Sequence, residues 1–307
     1  MTGWSTYHEV IPEQVVPGKR LGRHILRDTR ALAYPHPPLA YGRVLSDALH
    51  TRYIPILDQG NTGSCTGNAE TGALGTTPVY DALPPGHPVL NEAFARDTIY
   101  HLATTLDGYP GTFPPDDTGS DGQSAAKAAQ KLGLLSGYTW AATVQLIAVA
   151  LQDGPVCIGI NWYDSMDSPG AGGLITISPG AQVRGGHELV LRGVMVLGRL
   201  FRGDNSWGAW GDKGSFDIGW DDMARLLAEG GDATVPVPLT QPAPVPVPPL
   251  PAPVDDDAAD TLFATVLLRQ NAAGQAWVHQ RHDGYATNVA RHGAEWLLAR
   301  GFTPAGR

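Results

Sequence analysis

Asp58-Gln59-Gly60-Asn61-Thr62-Gly63-Ser64-Cys65-Thr66-Gly67-Asn68-Ala69-Glu70 is the stretch on which the reading of this chain turns. A loop rich in Gly, Ser and Asn delivers a cysteine to the start of a run of small residues, and a glutamine stands six positions earlier. Gly67 and Gly72 make the helix propensity of that run mediocre. Small side chains nevertheless let a helix pass close to its neighbours, which suits a buried central helix. A cysteine in the first turn would feel the positive end of the helix dipole, which favours a thiolate. Gln59 would supply an amide donor beside it.

Working outward, two downstream segments complete a constellation: Gly185-Gly186-His187 and Asp204-Asn205-Ser206-Trp207-Gly208. His187 is the candidate ion-pair partner of the Cys65 thiolate and then the acid that protonates a leaving amine. Asn205 would hold the imidazole in one orientation. Gln59 and the backbone N–H of Cys65 would form an oxyanion hole, in which one donor is typically worth ~3 kcal/mol. Trp207 and Trp210 would shield the His–Asn contact from water. Singly, each residue has a plainer reading. A buried cysteine is commonly a small hydrophobe, a histidine in a strand-like segment is usually a satisfied core residue, and Asn-Ser-Trp-Gly can be a turn.

Taken together, the order Gln, Cys, His, Asn and the Asn-Ser-Trp-Gly segment resemble the papain-like cysteine peptidases, over roughly residues 50–232. The resemblance implies an α+β, two-lobed fold, a helical lobe followed by a β-rich lobe. It implies a cysteine endopeptidase acting on protein or peptide substrates through a thioester, without cofactor or metal. The catalytic residues would be Cys65, His187, Asn205 and Gln59, with Gly63, Ser64, Gly186, Glu188 and Trp207 lining the substrate cleft. Gly185 and Gly186 would leave room for substrate. Thr62 stands where many relatives have a disulfide cysteine, which points towards bacterial and phage branches, and Thr66 stands where many have Trp. Glu188 replaces the small apolar residue that usually follows the histidine. It would either favour a basic substrate side chain or point to solvent. Papain-fold assembly components and non-proteolytic amide-bond enzymes remain alternative readings.

The chain has 307 residues, a formal charge of −9 and only 17% charged residues, with 38 Gly and 26 Pro. This composition fits a loop-rich globular protein. Nothing gathers Lys and Arg into a stripe, so nucleic acid is not an expected partner. The two cysteines are Cys65 and Cys157. With Cys65 as nucleophile no pair remains for a disulfide, so a reducing compartment would be tolerated. Cys157 lies in the apolar, strand-like 154–160 segment and reads as an unreactive core residue. Residues 1–9 lack a basic region followed by an apolar run, and no stretch is long enough to span a membrane. A cytoplasmic or particle-associated protein is expected more than a classically secreted one.

Residues 1–50 read as an N-terminal arm packed on the domain or a short autoinhibitory pro-segment, with short strands at Val10-Ile11 and Val15-Val16. The catalytic domain is expected over 51–234, with helices over 91–102, 123–132, 143–151 and 221–229 and strands from 156 to 218 between turn residues. Proline recurs almost every second residue over 235–254, which reads as a semi-rigid spacer. Residues 255–307 read as a small helical domain, too small for an independent core and suited to docking the chain on a larger assembly. His279, His282 and His292 there do not make a convincing metal set.

Overall fold

The computed structural model describes residues 6–40, 43–244 and 246. The spacer beyond 246 and the expected helical domain over 255–307, with its three histidines, lie outside the described residues. Two short strands open the chain, β1 (Thr6–Glu9) and β2 (Ile25–Asp28), paired antiparallel. Strand β3 (Ala48–Leu49) precedes the cysteine loop, which leads into α1 (Cys65–Leu74). A continuous helical stretch follows: α2 (Glu92–Phe94), a π-helical segment (Ala95–Tyr100) and α3 (His101–Leu106). It covers the helix expected over 91–102.

Helix α4 (Gly122–Lys131) lies within one residue of its expected bounds. The Asp121 carboxylate caps it by accepting the Ser124 N–H at 2.8 Å, and Gly133, at φ +71°, ends it in the left-handed conformation. Strand β4 (Gly137–Trp140) comes next, then α5 (Val144–Ala150), capped by the Thr143 hydroxyl. Strands β5 (Val156–Tyr163), β6 (Leu174–Ile175), β7 (Val183–Met195) and β8 (Leu200–Asp204) follow. A turn, α6 (Trp210–Lys213), leads to β9 (Ser215–Gly219), α7 (Trp220–Ala228) and β10 (Asp232–Val237).

The strands from β4 onward form one sheet in the order β4-β10-β5-β7-β8-β9-β6, with β3 beside β7; only β6 and β9 run parallel. One core lies on this sheet, built from residues such as Ile158, Trp162, Leu191, Phe201 and Phe216. A second packs the helices together through Leu74, Phe94, Ile99, Ala125 and Leu134. Helix α1 lies between them and meets the sheet through Ala69, Ala73, Cys157 and Val190. All ten of its residues are buried. The small residues make that possible: a Cβ on Gly67 would overlap the Ala95 carbonyl, and one on Gly72 would sit 3.0 Å from Val190 Cγ1. The fold is α+β with a helical and a β-rich lobe, as the resemblance implies.

Two boundaries differ from the sequence reading. Strand β10 runs to Val237, so the sheet extends past Thr234, where the spacer was expected to begin. Pro236 fits because β5 pairs only with Asp232 to Thr234, so no neighbour on that side needs the missing N–H. Val10-Ile11 and Val15-Val16 are not strands. Within that segment Ile11 donates its N–H to His24 Nδ1 at 3.2 Å and Gln14 donates its own to Arg184 O at 2.7 Å. Among the described residues no helix is long and apolar enough to cross a membrane.

Candidate active site

Cys65 is the first residue of α1, as the loop's composition suggests, and it is fully buried. Two backbone N–H groups, those of Thr66 and Glu188, lie near enough to its sulfur to favour the thiolate. The second contact sets the thiol against β7 at the residue following His187. Ser64 is also fully buried, and its hydroxyl is taken up by Thr62 Oγ1 at 2.9 Å and Asn68 Nδ2 at 3.1 Å. It braces the start of the helix rather than lining a cleft. Thr62, in the place of a disulfide cysteine, ties the loop instead by donating to the Gln59 carbonyl at 2.8 Å.

His187 Nε2 lies 2.8 Å from Asn205 Oδ1. The same oxygen accepts the Ser206 N–H at 2.7 Å, which fixes that atom as the amide oxygen. His187 must therefore donate through Nε2 and carry its lone pair on Nδ1, a buried atom with no protein partner. Trp207 stacks on the imidazole with ring centres 4.8 Å apart. Trp162, which the sequence reading did not single out, packs edge-on against it at 5.0 Å. Trp210 touches both tryptophans rather than the histidine. Together these rings keep water from the His–Asn bond.

Gln59 joins the same group through a residue that motif reading passed over. Ser206 donates its hydroxyl to Gln59 Oε1 at 2.6 Å, which turns the Gln59 amide nitrogen the other way. That nitrogen donates to Thr62 O at 2.9 Å and to Arg20 O at 3.1 Å. The structure thus joins Gln59, Ser206, Asn205 and His187 in one hydrogen-bonded chain and sets Cys65 near Glu188, the residue after His187, but it also brings the N-terminal arm.

Residues 20–24 run through the space in front of these side chains. The Arg20 carbonyl accepts from Gln59 and, at 3.0 Å, from Trp207 Nε1. Gly22 and Arg23 both donate their backbone N–H to Gly186 O, at 3.1 and 3.0 Å. Ser120 donates to Gly22 O and accepts from His24 N–H. Glycines on both surfaces permit this approach. A Cβ on Gly22 would overlap the Gly63 carbonyl, one on Gly186 would overlap the Arg23 carbonyl, and one on Gly185 would lie 2.6 Å from Leu21 Cδ1. The room that Gly185 and Gly186 were expected to leave for substrate is filled by the chain itself.

Burial sets the electrostatics. Burial pushes the Cys65 thiol well above its usual range, outweighing the two backbone N–H groups that favour the thiolate. Burial likewise pushes His187 down to about 3, with Arg184 adding to the effect and Asn205 opposing it. The helix dipole was expected to make Cys65 a thiolate, but desolvation dominates in the covered form, where thiol and imidazole are both neutral. Cys157 is also buried, and its thiol is raised by desolvation and by Glu70, whose carboxylate lies 3.7 Å from its sulfur. Glu188 is 1% exposed and so does not point to solvent.

No protein-family model matches this sequence, and no curated protein matches it. Among solved structures the chain is similar to xylellain, a cysteine protease from Xylella fastidiosa. The identity is 16%, the match covers 75% of this chain and 96% of that one, and the TM-score is 0.50. It also matches digestive procathepsin L 3 of Tenebrio molitor larval midgut, at 18% identity over 67% of this chain and 74% of that one, with a TM-score of 0.49. With its helical lobe, its β-rich lobe and α1 between them, this chain has the papain-like cysteine peptidase fold.

Proposed function

We propose that this chain is a cysteine endopeptidase whose N-terminal arm is a pro-segment covering its catalytic centre. The observation that carries this reading is the His187–Asn205 bond at 2.8 Å, which leaves a buried Nδ1 unpartnered one residue before Glu188, whose backbone N–H favours the Cys65 thiolate. With the arm displaced, water re-enters, and the burial that holds both groups neutral is relieved. The thiol proton then passes to His187 Nδ1, giving a thiolate–imidazolium pair.

The Cys65 thiolate attacks the carbonyl carbon of a peptide bond. The carbonyl oxygen becomes negative and accepts from Gln59 Nε2–H and the Cys65 backbone N–H. As the C–N bond breaks, imidazolium Nδ1–H gives its proton to the leaving amine, and a thioester remains. Water then attacks the thioester carbon while Nδ1 takes its proton. Collapse of that intermediate releases the carboxylic acid product and restores the thiol. Asn205 keeps Nδ1 facing the reaction throughout, and Ser206 keeps the Gln59 amide nitrogen turned to the oxyanion.

The test is labelling of the full chain with an epoxysuccinyl thiol-protease inhibitor, with the adduct located by mass spectrometry. Slow adduct formation on Cys65, abolished by Cys65→Ala, supports the reading. A folded protein in which Cys65 stays unmodified after the arm has been displaced overturns it.

A further inference from the structure

We propose that the buried pocket beside His187, walled by Glu188 and Asp232 with Asp121 nearby, selects a positively charged substrate side chain, and that Arg23 occupies it as an internal stand-in. The proposal rests on the peptidase reading above and names the substrate class of that site: peptides with Arg or Lys close to the scissile bond.

Arg23 is fully buried, although arginine is almost never so unless paired. Its Nη2 pairs with Asp232 and donates to Gly230 O at 2.8 Å. Yet both carboxylate oxygens of Glu188, Asp232 Oδ1, and Arg23 Nε and Nη1 have no hydrogen-bond partner. The walls offer more carboxyl oxygens than one guanidinium satisfies, and burial beside Asp232, opposed by Arg23, keeps Glu188 well above the usual carboxylate range, ready to ionise against a further cation. Gly159 leaves the space open. A Cβ there would lie 2.6 Å from Arg23 Nε, 2.7 Å from Glu188 Oε2 and 3.0 Å from Asp232 Oδ1.

The two sides of this contact are mounted differently. Glu188 belongs to β7 and Asp232 begins β10, both in the central sheet, whereas Arg23 is carried by the covering arm. When the arm leaves, the cation goes with it and the carboxylates stay. Buried carboxylates without a partner are costly, so a cationic side chain entering in place of Arg23 recovers what the arm took away. The pocket is also next to the chemistry. The Glu188 backbone N–H favours the Cys65 thiolate, and the residue in the pocket donates its own N–H to Gly186 O at 3.0 Å.

The experiment compares peptidyl epoxides that differ in one residue next to the warhead: Arg, Lys, citrulline or Leu. Rates of Cys65 adduct formation are measured on the full chain by mass spectrometry, with iodoacetamide as a charge-neutral control. The fraction of molecules with the arm open multiplies every rate equally, so the Arg to citrulline ratio reports the pocket alone. Hydrogen bonds to charged groups are worth enough to predict a ratio of about tenfold or more. It should fall towards one in Glu188→Gln with Asp232→Asn, while iodoacetamide still reacts. Equal Arg and citrulline rates in the wild type overturn the inference and leave the peptidase reading intact, as does a ratio unchanged in folded double variant. Failure of Cys65 to react with any probe, iodoacetamide included, even in Gly22→Ala with its arm displaced, overturns both.

Discussion

The backbone carbonyl of Arg20 accepts the side-chain N–H of Gln59 at 3.1 Å, so the donor proposed for the oxyanion is already bonded to the chain's own backbone. An oxyanion-hole donor helps only through what it does in the transition state, and here it is satisfied before any substrate arrives. Trp207 donates to the same carbonyl, and Gly186 accepts from the next residues of the arm. On the proposed reading, activation is therefore a matter of displacing a short, well-bonded stretch of backbone.

Gly22 is the position where that stretch is most easily dislodged. Its φ of +153° suits glycine, and an alanine Cβ would overlap the Gly63 carbonyl. Gly22→Ala should raise the rate of Cys65 alkylation by iodoacetamide about tenfold or more, since a clash of this kind costs on the order of 1–3 kcal/mol. Cys157 is an internal control. It is buried in the sheet core, so its modification signals global unfolding, whereas adducts confined to Cys65 signal opening of the arm.

His187 should remain neutral in the covered chain well below its ordinary pKa of 6.5, because burial holds it down to about 3. The sign follows directly. The covered form disfavours a proton that the open form accepts, so this residue's contribution to covering is complete above pH 6.5 and is lost as pH falls from there towards 3. The loss is about 1.4 kcal/mol for each pH unit in that window. Glu188 runs the other way, since its raised pKa favours the covered form as pH falls, so total stability mixes the two. A residue-specific measurement separates them. Imidazole resonances of His187 followed by NMR should not titrate between pH 5 and 8 in the wild type, and should titrate in Gly22→Ala.

Ser206 and Gln59 offer a graded pair of variants. In the opened enzyme, Gln59→Ala should lower kcat by about 10²–10³, the usual loss of an oxyanion donor. Ser206→Ala leaves the amide present but releases its carbonyl end, held at 2.6 Å. Its kcat should fall by less, about three- to tenfold, with KM little changed, because the donor acts on the transition state. Steady-state kinetics on one peptide substrate compare the two.

Much of this was legible in the sequence because it is local. The small residues of α1 predict a buried helix, Asp121 and Gly133 mark the ends of α4, and Gln, Cys, His and Asn announce themselves through flanking glycines and tryptophans. What was not legible depends on contacts between distant segments. Arg20 to His24 carry no local pattern; they lie in the cleft because Gly22, Gly119 and Gly186 each leave a Cβ-sized space there. Val235 to Val237 read as spacer because proline usually excludes a strand, and only the register of β10 against β4 and β5 shows why this one is tolerated. The thiolate expectation failed for the same reason. Dipole and sequence neighbours are local, whereas the desolvation that outweighs them comes from tertiary packing around Cys65.

Asn205 is the residue at which orientation and charge can be separated. Its Oδ1 accepts from both His187 Nε2 and the Ser206 N–H. Asn205→Ala leaves two buried donors without an acceptor, a cost of about 1–3 kcal/mol each in the worst case. It also frees the ring to turn Nδ1 away from the reaction. Thermal unfolding should show that loss, and kcat of the opened enzyme should fall by about 10²-fold, the lower end of what general acid–base catalysis contributes. Asn205→Asp keeps the acceptor and adds a negative charge beside the ring. That charge stabilises the imidazolium, so the His187 pKa should rise above its value in the wild type. If orientation is what Asn205 supplies, the aspartate variant should retain far more activity than the alanine variant and show a pH–rate profile shifted upward. Equal losses in both variants, with His187 titrating alike, would mean that the hydrogen bond at 2.8 Å holds the fold together and does not orient the base.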